Sequence, residues 1–308
     1  MTEPVLFLPA RAKLNLVLRI TGRRADGYHL LHTLFHEVEL HDELWAARSD
    51  GPEDELVVRA TDPRNRVEPT ADNLVLRAVR LFRSVAGSHQ RFRIVLHKHV
   101  PHGGGLGGGS SDAAAALRLC NALCGHPVAA GALQQASVAL GADVPFFFHG
   151  GSQWGSGIGD ELAPATTAPR HFLLVVPPFG CPTAEVYKNH AAHLRSTVQV
   201  DTVPAVSLHP ARDSEGHGHD ANDLEAAAER VRPELAGLRR RIAELGFPEV
   251  RMTGSGSTLF LGFRAEHELE AAAQSLGTLQ RDGIRLLATR SAEPGPRDPV
   301  QSGWPTAQ

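Results

Sequence analysis

Six of the 30 glycines in this 308-residue chain fall between residues 103 and 109, inside the segment PHGGGLGGGSSDAAAAL at 101–117. A glycine run lets successive backbone N–H groups turn to one side with no side chains in the way, which makes a nest for an anion. The residues that follow read as a helix over 112–124, starting around Ser110 to Asp112, because four consecutive alanines have high helix propensity. The unpaired N–H groups and positive dipole end of that helix point back at the nest. Ser110 and Ser111 add hydroxyl donors. Together these describe a cradle for phosphate. It is not a P-loop, which needs a lysine between Gly109 and Ser110. Nor is it a dinucleotide fingerprint: no ribose-binding acid follows about 20 residues later on a second strand. A flexible linker is the alternative, but a linker would not feed straight into an alanine helix.

Three other places carry chemistry. Asp143 lies at a turn between Gly141 and Pro145, where a carboxylate could orient a hydroxyl and take its proton, or could merely organise the turn. Lys13 interrupts an apolar strand and either snorkels to solvent or holds its charge in a site. Asn15, two residues on, shares its strand face and reaches the same cavity. The chain has only two tyrosines, Tyr28 and Tyr187; each alone is as well explained by packing as by binding. The 17 histidines invite a metal reading, especially His209, His217 and His219. They lack a scaffold of acids at ligand spacing and read as a solvated loop whose charge changes near pH 6 to 7. Cys120 and Cys124 share a helix face with no further ligands nearby and read as core.

The glycine loop resembles that of the small-molecule kinase superfamily containing galactokinase, homoserine kinase, mevalonate kinase and phosphomevalonate kinase. Three further segments, PARAKLNL at 9–16, GRRADGYH at 22–29 and GADVP at 141–145, narrow it: together they are similar to the 4-diphosphocytidyl-2-C-methyl-D-erythritol kinase family. The resemblance runs from about residue 9 to about 290, strongly to 160 and more thinly beyond. It implies ATP-dependent phosphorylation of the 2-hydroxyl of 4-diphosphocytidyl-2-C-methyl-D-erythritol, giving ADP and the 2-phosphate, in the non-mevalonate isoprenoid precursor pathway. Another acceptor within the superfamily, homoserine or a mevalonate-type alcohol, is the nearest alternative. A nucleotide-binding regulator without catalysis is a further one.

The resemblance also implies roles. Lys13 and Asp143 become the catalytic pair, close to each other and to the acceptor oxygen. Asn15 lies near the acceptor's polyol end, and Tyr28, His29 and Tyr187 read the cytosine. On the donor side, Pro101, Gly103, Gly104, Gly105, Leu106, Gly107, Gly108, Gly109, Ser110 and Ser111 wrap the phosphates of ATP, with Ser110 or Ser111 near Mg2+. Asp72 and Asn73 resemble the segment lining the adenine and ribose pocket. Thr253, Gly254, Ser255 and Gly256 resemble a glycine turn that supports the loop. His102 stands where close relatives often carry an apolar residue and is not assigned to catalysis.

The elements that must position these groups alternate between strand and helix periods. Strands are expected at 12–20, 30–40, 55–60 and 92–96, with a helix from 74 capped by Asp72. A second helix at 129–140 precedes a turn, an aromatic run at 146–148 read as a buried strand, and a hairpin to 160. Beyond it come a strand at 171–176, helices at 183–194, 222–231 and 233–245, strands at 249–252 and 258–263, a helix at 265–276 and a strand at 284–289. The whole is an α+β pattern. The resemblance implies a ribosomal protein S5 domain 2-like N-terminal kinase domain over 1–160 and a ferredoxin-like C-terminal domain over 161–290 completing the cleft. A flexible tail is expected over 291–308. With 31 basic and 34 acidic residues the net charge is −3, so no basic stripe points to nucleic acid. No apolar run is long enough for a membrane, no signal peptide opens the chain, and three cysteines suit a reducing compartment. These expectations describe a cytoplasmic monomer or homodimer acting on a small molecule.

Overall fold

The computed structural model describes residues 3–197, 222–295 and 298–306, with the backbone alone for 194–197. It contains two sheets. In the first, β1 (Val5–Arg23) and β2 (His29–Ser49) form a long antiparallel pair, extended by β4 (Arg91–Lys98) and, parallel to it, β3 (Glu55–Ala60). The first half of β2 instead pairs with β5 (Ser152–Ser156), which forms a hairpin with β6 (Glu161–Pro164). Three helices cover one face: α1 (Leu74–Ala86), α2 (Gly108–Leu123) and α3 (Ala130–Ser137). The second sheet has the order β10 (Arg285–Arg290), β7 (His171–Val176), β9 (Leu259–Phe263), β8 (Arg251–Met252). It is accompanied by α4 (Thr183–Thr197), α5 (Glu225–Val231), α6 (Pro233–Glu244) and α7 (Glu266–Ser275). Among the described residues no helix is long and apolar enough to cross a membrane.

Alternation along the strands sorts side chains between separate apolar clusters. On β7, Leu173 and Val175 join the core under α5 to α7, while Phe172, Leu174 and Val176 face the first sheet. There they meet Ala12, Leu14 and Val38, closing the two halves over a shared apolar layer. β1 passes from one of these layers to another where its register slips between Arg11 and Lys13. Leu8 and Ala10 pack under the first-sheet helices, whereas Ala12 and Leu14, of the same parity, pack toward the second sheet. Such an irregularity turns the following side chains to the other face. It leaves Lys13 on the side of Phe35, with Nζ 5.6 Å from the ring centroid.

Four local expectations are corrected. The cap of α1 is Asn73, whose side chain accepts from the Val75 N–H, and not Asp72. α2 starts at Gly108, earlier than the serines, since Gly107 in the left-handed conformation already caps it. Phe146, Phe147 and Phe148 are buried as expected but form a 3₁₀ turn (Val144–Phe148), with Pro145 in its first turn rather than a strand. The tail is not all loose: β11 (Val300–Ser302) adds to the free edge of β1, and Trp304 stacks on the Arg93 guanidinium 5.0 Å away.

Candidate active site

A cavity of about 1130 Å³ opens between the two sheets, and the glycine loop forms its floor. Pro101, all seven residues 103–109 and Ser110 line it. Gly103, Gly105 and Gly107 have φ of 70°, 79° and 72°, the left-handed region that glycine enters without steric cost. Glycine is also required for space. A Cβ on Gly105 would stand 2.3 Å from the Thr253 carbonyl oxygen, and one on Gly107 would meet Phe147 at 2.9 Å and the Lys13 stem at 3.0 Å. The second half of the chain grips the loop from above. Thr258 N–H donates to Gly104 O at 3.2 Å, and Thr253 Oγ1 donates to Gly105 O at 3.3 Å. Gly254 and Ser255 line the cavity, while Gly256 is turned toward Met252 and Cys181.

The two serines separate. Ser110 faces the cavity; Ser111 is buried, its N–H donates to Gly107 O at 2.9 Å, and it lines a small separate cavity with Arg11, Glu37 and Arg118. Helical geometry explains this, because neighbouring residues point about 100° apart. Asp72 and Asn73 do not line the cavity. Asp72 is exposed, Asn73 is engaged in its cap and in a bond from Nδ2 to Glu68 O at 3.0 Å, and Leu74 is the residue that reaches in.

Beside the loop, the slip in β1 brings Lys13 to the cavity wall. Its backbone N–H donates to Leu106 O at 2.9 Å, and Nζ lies 3.5 Å from Asp143 Oδ2. Nζ also donates to Asn15 Oδ1 at 2.5 Å, and Asn15 Nδ2 donates to Thr33 Oγ1 at 2.7 Å. The ammonium is buried while Asp143 is 37% exposed, so the carboxylate faces the cavity and the lysine backs it. Asp143 immediately precedes the 3₁₀ turn and makes no capping bond there. Its side chain is therefore not consumed by the turn.

Across the cavity, the GRRADGYH loop and α4 make an aromatic recess. The His29 and Tyr187 rings lie 5.1 Å apart at 37°, and His190 meets His29 edge-on at 6.4 Å. Burial, with Arg23 and His190 adding, lowers the His29 pKa, and its shielded Nε2 has no hydrogen-bond partner. A neutral imidazole with one unused nitrogen suits the edge of a base. Burial and the Asp143 carboxylate push the Tyr187 phenol up, so it stays protonated. Tyr28 is 61% exposed at the rim.

Sequence reasoning missed several groups. Thr183 lines the cavity and shares a 2.9 Å hydroxyl contact with Ser255. Lys98 lines the cavity beside the glycine loop, held between Asp42 and Asp112. Nothing in the spacing of these residues links them, since each contact joins distant segments. His102 is exposed at the cavity edge, its pKa lowered by partial desolvation and by Lys98. His209, His217 and His219 lie outside the described residues. Among the described residues no group of three or more His, Cys, Asp or Glu is placed to hold a metal ion, and Cys120 is fully buried in the core.

The glycine cradle facing a lysine–aspartate pair, on this two-sheet scaffold, defines an ATP-dependent small-molecule kinase of the GHMP class. Residues 73–151 match the GHMP kinases N terminal domain. The 4-diphosphocytidyl-2-C-methyl-D-erythritol kinase of Bordetella pertussis is 39% identical over 289 residues, covering 94% of this chain and 91% of that protein. A crystal structure of 4-(cytidine 5'-diphospho)-2C-methyl-D-erythritol kinase superposes with a TM-score of 0.70 at 34% identity, over 93% of this chain and 100% of the other. The homoserine kinase of Cytophaga hutchinsonii shares the fold, with a TM-score of 0.65 at 16% identity over 97% and 98% of the chains. The chain belongs to the 4-diphosphocytidyl-2-C-methyl-D-erythritol kinase family.

Proposed function

We propose that this enzyme transfers the γ-phosphoryl group of ATP to the 2-hydroxyl of 4-diphosphocytidyl-2-C-methyl-D-erythritol, yielding ADP and the 2-phosphate for non-mevalonate isoprenoid synthesis. One juxtaposition carries this reading: the Lys13–Asp143 pair, 3.5 Å apart, stands between the glycine cradle and the His29–Tyr187 recess within one cavity. Donor phosphates on the cradle and cytosine in the recess leave the reacting hydroxyl beside Asp143.

Phosphoryl transfer asks the protein mainly for positioning and charge stabilisation. Backbone N–H groups of the loop and the N-terminus of α2 hold the donor phosphates. Asp143 orients the hydroxyl and accepts its proton as the new P–O bond forms. Lys13 orients that carboxylate from behind and offsets negative charge on the transferring oxygens. Asn15 fixes the lysine and presents its polar edge to the polyol. Transfer is direct and in line, with no phosphoenzyme. Bound Mg2+ supplies charge neutralisation along the donor's phosphates. Ser110 and Asp143, whose side chains line the cavity, would be residues of this chain able to help hold such an ion.

ADP release measured with 4-diphosphocytidyl-2-C-methyl-D-erythritol, homoserine and mevalonate side by side tests the reading. Activity on the cytidine-bearing substrate alone is expected. Activity confined to homoserine or mevalonate would overturn the acceptor assignment, and none of the three would favour a regulator.

A further inference from the structure

The floor of the cradle rests on a buried ionic cluster. Lys98, at the end of β4, donates from Nζ to Asp42 on β2 and, at 2.8 Å, to Asp112 Oδ2 on α2. Relative exposures are 3% for Lys98, 0% for Asp42 and 3% for Asp112. Asp42 also accepts, through Oδ1, the N–H groups of His99 at 2.6 Å and Val100 at 2.8 Å. These are the last two residues before the loop. Gly108 packs directly on the same group: a Cβ there would lie 3.0 Å from Val100 and 3.4 Å from Asp42 Oδ2. Asp112 lies in α2 just after the loop. One ammonium and two carboxylates thus tie the approach to the loop, the first helical residue and the departure from the loop to one point.

A buried ion pair is weak support for stability, because desolvation offsets most of its Coulombic gain. An apolar plug would fill the space more cheaply. What the cluster does supply is geometry. It fixes the chain just before, within and just after an 11-residue glycine-rich segment (101–111) whose own side chains can fix almost nothing. Asp112 Oδ1 has no partner at all, which a cluster selected for stability alone would not leave. Burial pushes the Asp112 carboxyl up, with the Asp42 carboxylate adding, while the Lys98 ammonium opposes the shift.

Resting on the kinase reading above, we infer that Lys98, held by Asp42 and Asp112, is a positioning residue for the nucleotide, clamping both ends of the phosphate loop so that its N–H groups converge on the donor. The cluster touches neither the aromatic recess nor the Lys13–Asp143 pair, so its effect falls on the donor and not on the acceptor.

Calorimetric binding of ATP, and separately of CDP as a probe of the recess, tests this. Lys98→Met alone leaves two facing carboxylates in the core and is expected to melt early. The triple variant K98M/D42N/D112N removes the buried charge, keeps an amide oxygen for the His99 and Val100 N–H groups, and should fold. Its expected signature is a dissociation constant for ATP raised about tenfold, as loosened alignment produces, with that for CDP within about twofold of the parent. A folded triple variant with parental affinity for ATP would overturn the inference, as would equal weakening of ATP and CDP. ATP binding is read without any acceptor, so failure of the acceptor assignment leaves this comparison intact.

Discussion

Lys13 and Asp143 divide the labour between a buried and a half-exposed group. Removing the buried partner should leave the carboxylate in place but poorly oriented for the proton it must take. Lys13→Met and Asp143→Asn are each expected to lower turnover by about 10²- to 10⁴-fold, the usual contribution of a positioned proton acceptor and its partner. Melting temperature and ATP affinity should persist. Turnover within threefold of the parent in both variants would dismiss the pair's proposed role. On the acceptor side, Tyr187 packs its ring against His29 while its hydroxyl stays protonated. Tyr187→Ala is expected to raise the acceptor KM by an amount corresponding to about 1–3 kcal/mol of base stacking, and Tyr187→Phe much less. A KM for ATP that moved equally would show that the ring merely supports the cleft. Lys13 and Asp143 stood out in the sequence by local context, a lysine in an apolar strand and an aspartate at a glycine–proline turn, whereas the roles proposed for His29 and Tyr187 came only with the family resemblance. Lys98, Asp42 and Asp112 carried no such mark, since a lysine at the end of a strand and an aspartate in a helix are ordinary.

Among the elements, the glycine loop shows how much of a site can be read locally and where that stops. Its composition announced the turns, and the serines and alanines announced the helix. Yet the helix begins two residues before the serines, because Gly107 itself takes the capping conformation. That shift by a fraction of a turn decides which serine faces the cavity. The aromatic run 146–148 was misread for a related reason: three buried phenylalanines look alike in a strand and in a 3₁₀ turn, and only their packing against Phe35 and α2 distinguishes the two. The slip in β1 that exposes Lys13 to the cavity has no sequence signal. Loop geometry makes a direct prediction. Gly105→Ala combines a left-handed φ with a Cβ 2.3 Å from the Thr253 carbonyl. It should destabilise the loop by about 1–3 kcal/mol, raise the KM for ATP and leave CDP affinity unchanged. Gly125→Ala, also at positive φ but with nothing within 4 Å, should lower the melting temperature without touching either ligand.

At the scale of the molecule, the two sheets are joined by the shared apolar layer and by a few buried polar ties, of which His36 is the clearest. Its Nδ1 meets Ser152 Oγ and its Nε2 meets Ser291 Oγ, both at 2.8 Å, linking the first sheet to the residue after β10. Burial, with Arg170 adding, lowers its pKa from 6.5 to about 4. Unfolded chains therefore take up this proton first as pH falls. The associated stability is fully present above about 6.5, declines between 6.5 and 4 and is gone below 4, a loss of about 3 kcal/mol at most. Melting temperatures recorded from pH 7.5 to 4.5 should fall, and the slope should be shallower in His36→Gln. An unchanged slope would assign the acid sensitivity elsewhere. Most of the α+β order was legible because periodicity survives in the longer elements; the joining of β11 to β1 was not, since a three-residue strand in a proline-rich tail has no period to show.

The grip of Thr253 and Thr258 on Gly104 and Gly105 also has a temporal side. Partners separated by about 150 positions cannot meet until the ribosome has released nearly the whole chain, and Asn15 waits even longer for Thr253. A nascent polypeptide emerging N-terminus first would present a glycine segment with its floor built and its ceiling missing, at a stage when distant contacts are slow to form. Ribosome-stalled chains ending near residue 240 should therefore be cut by protease within 101–111, and chains released at full length should resist.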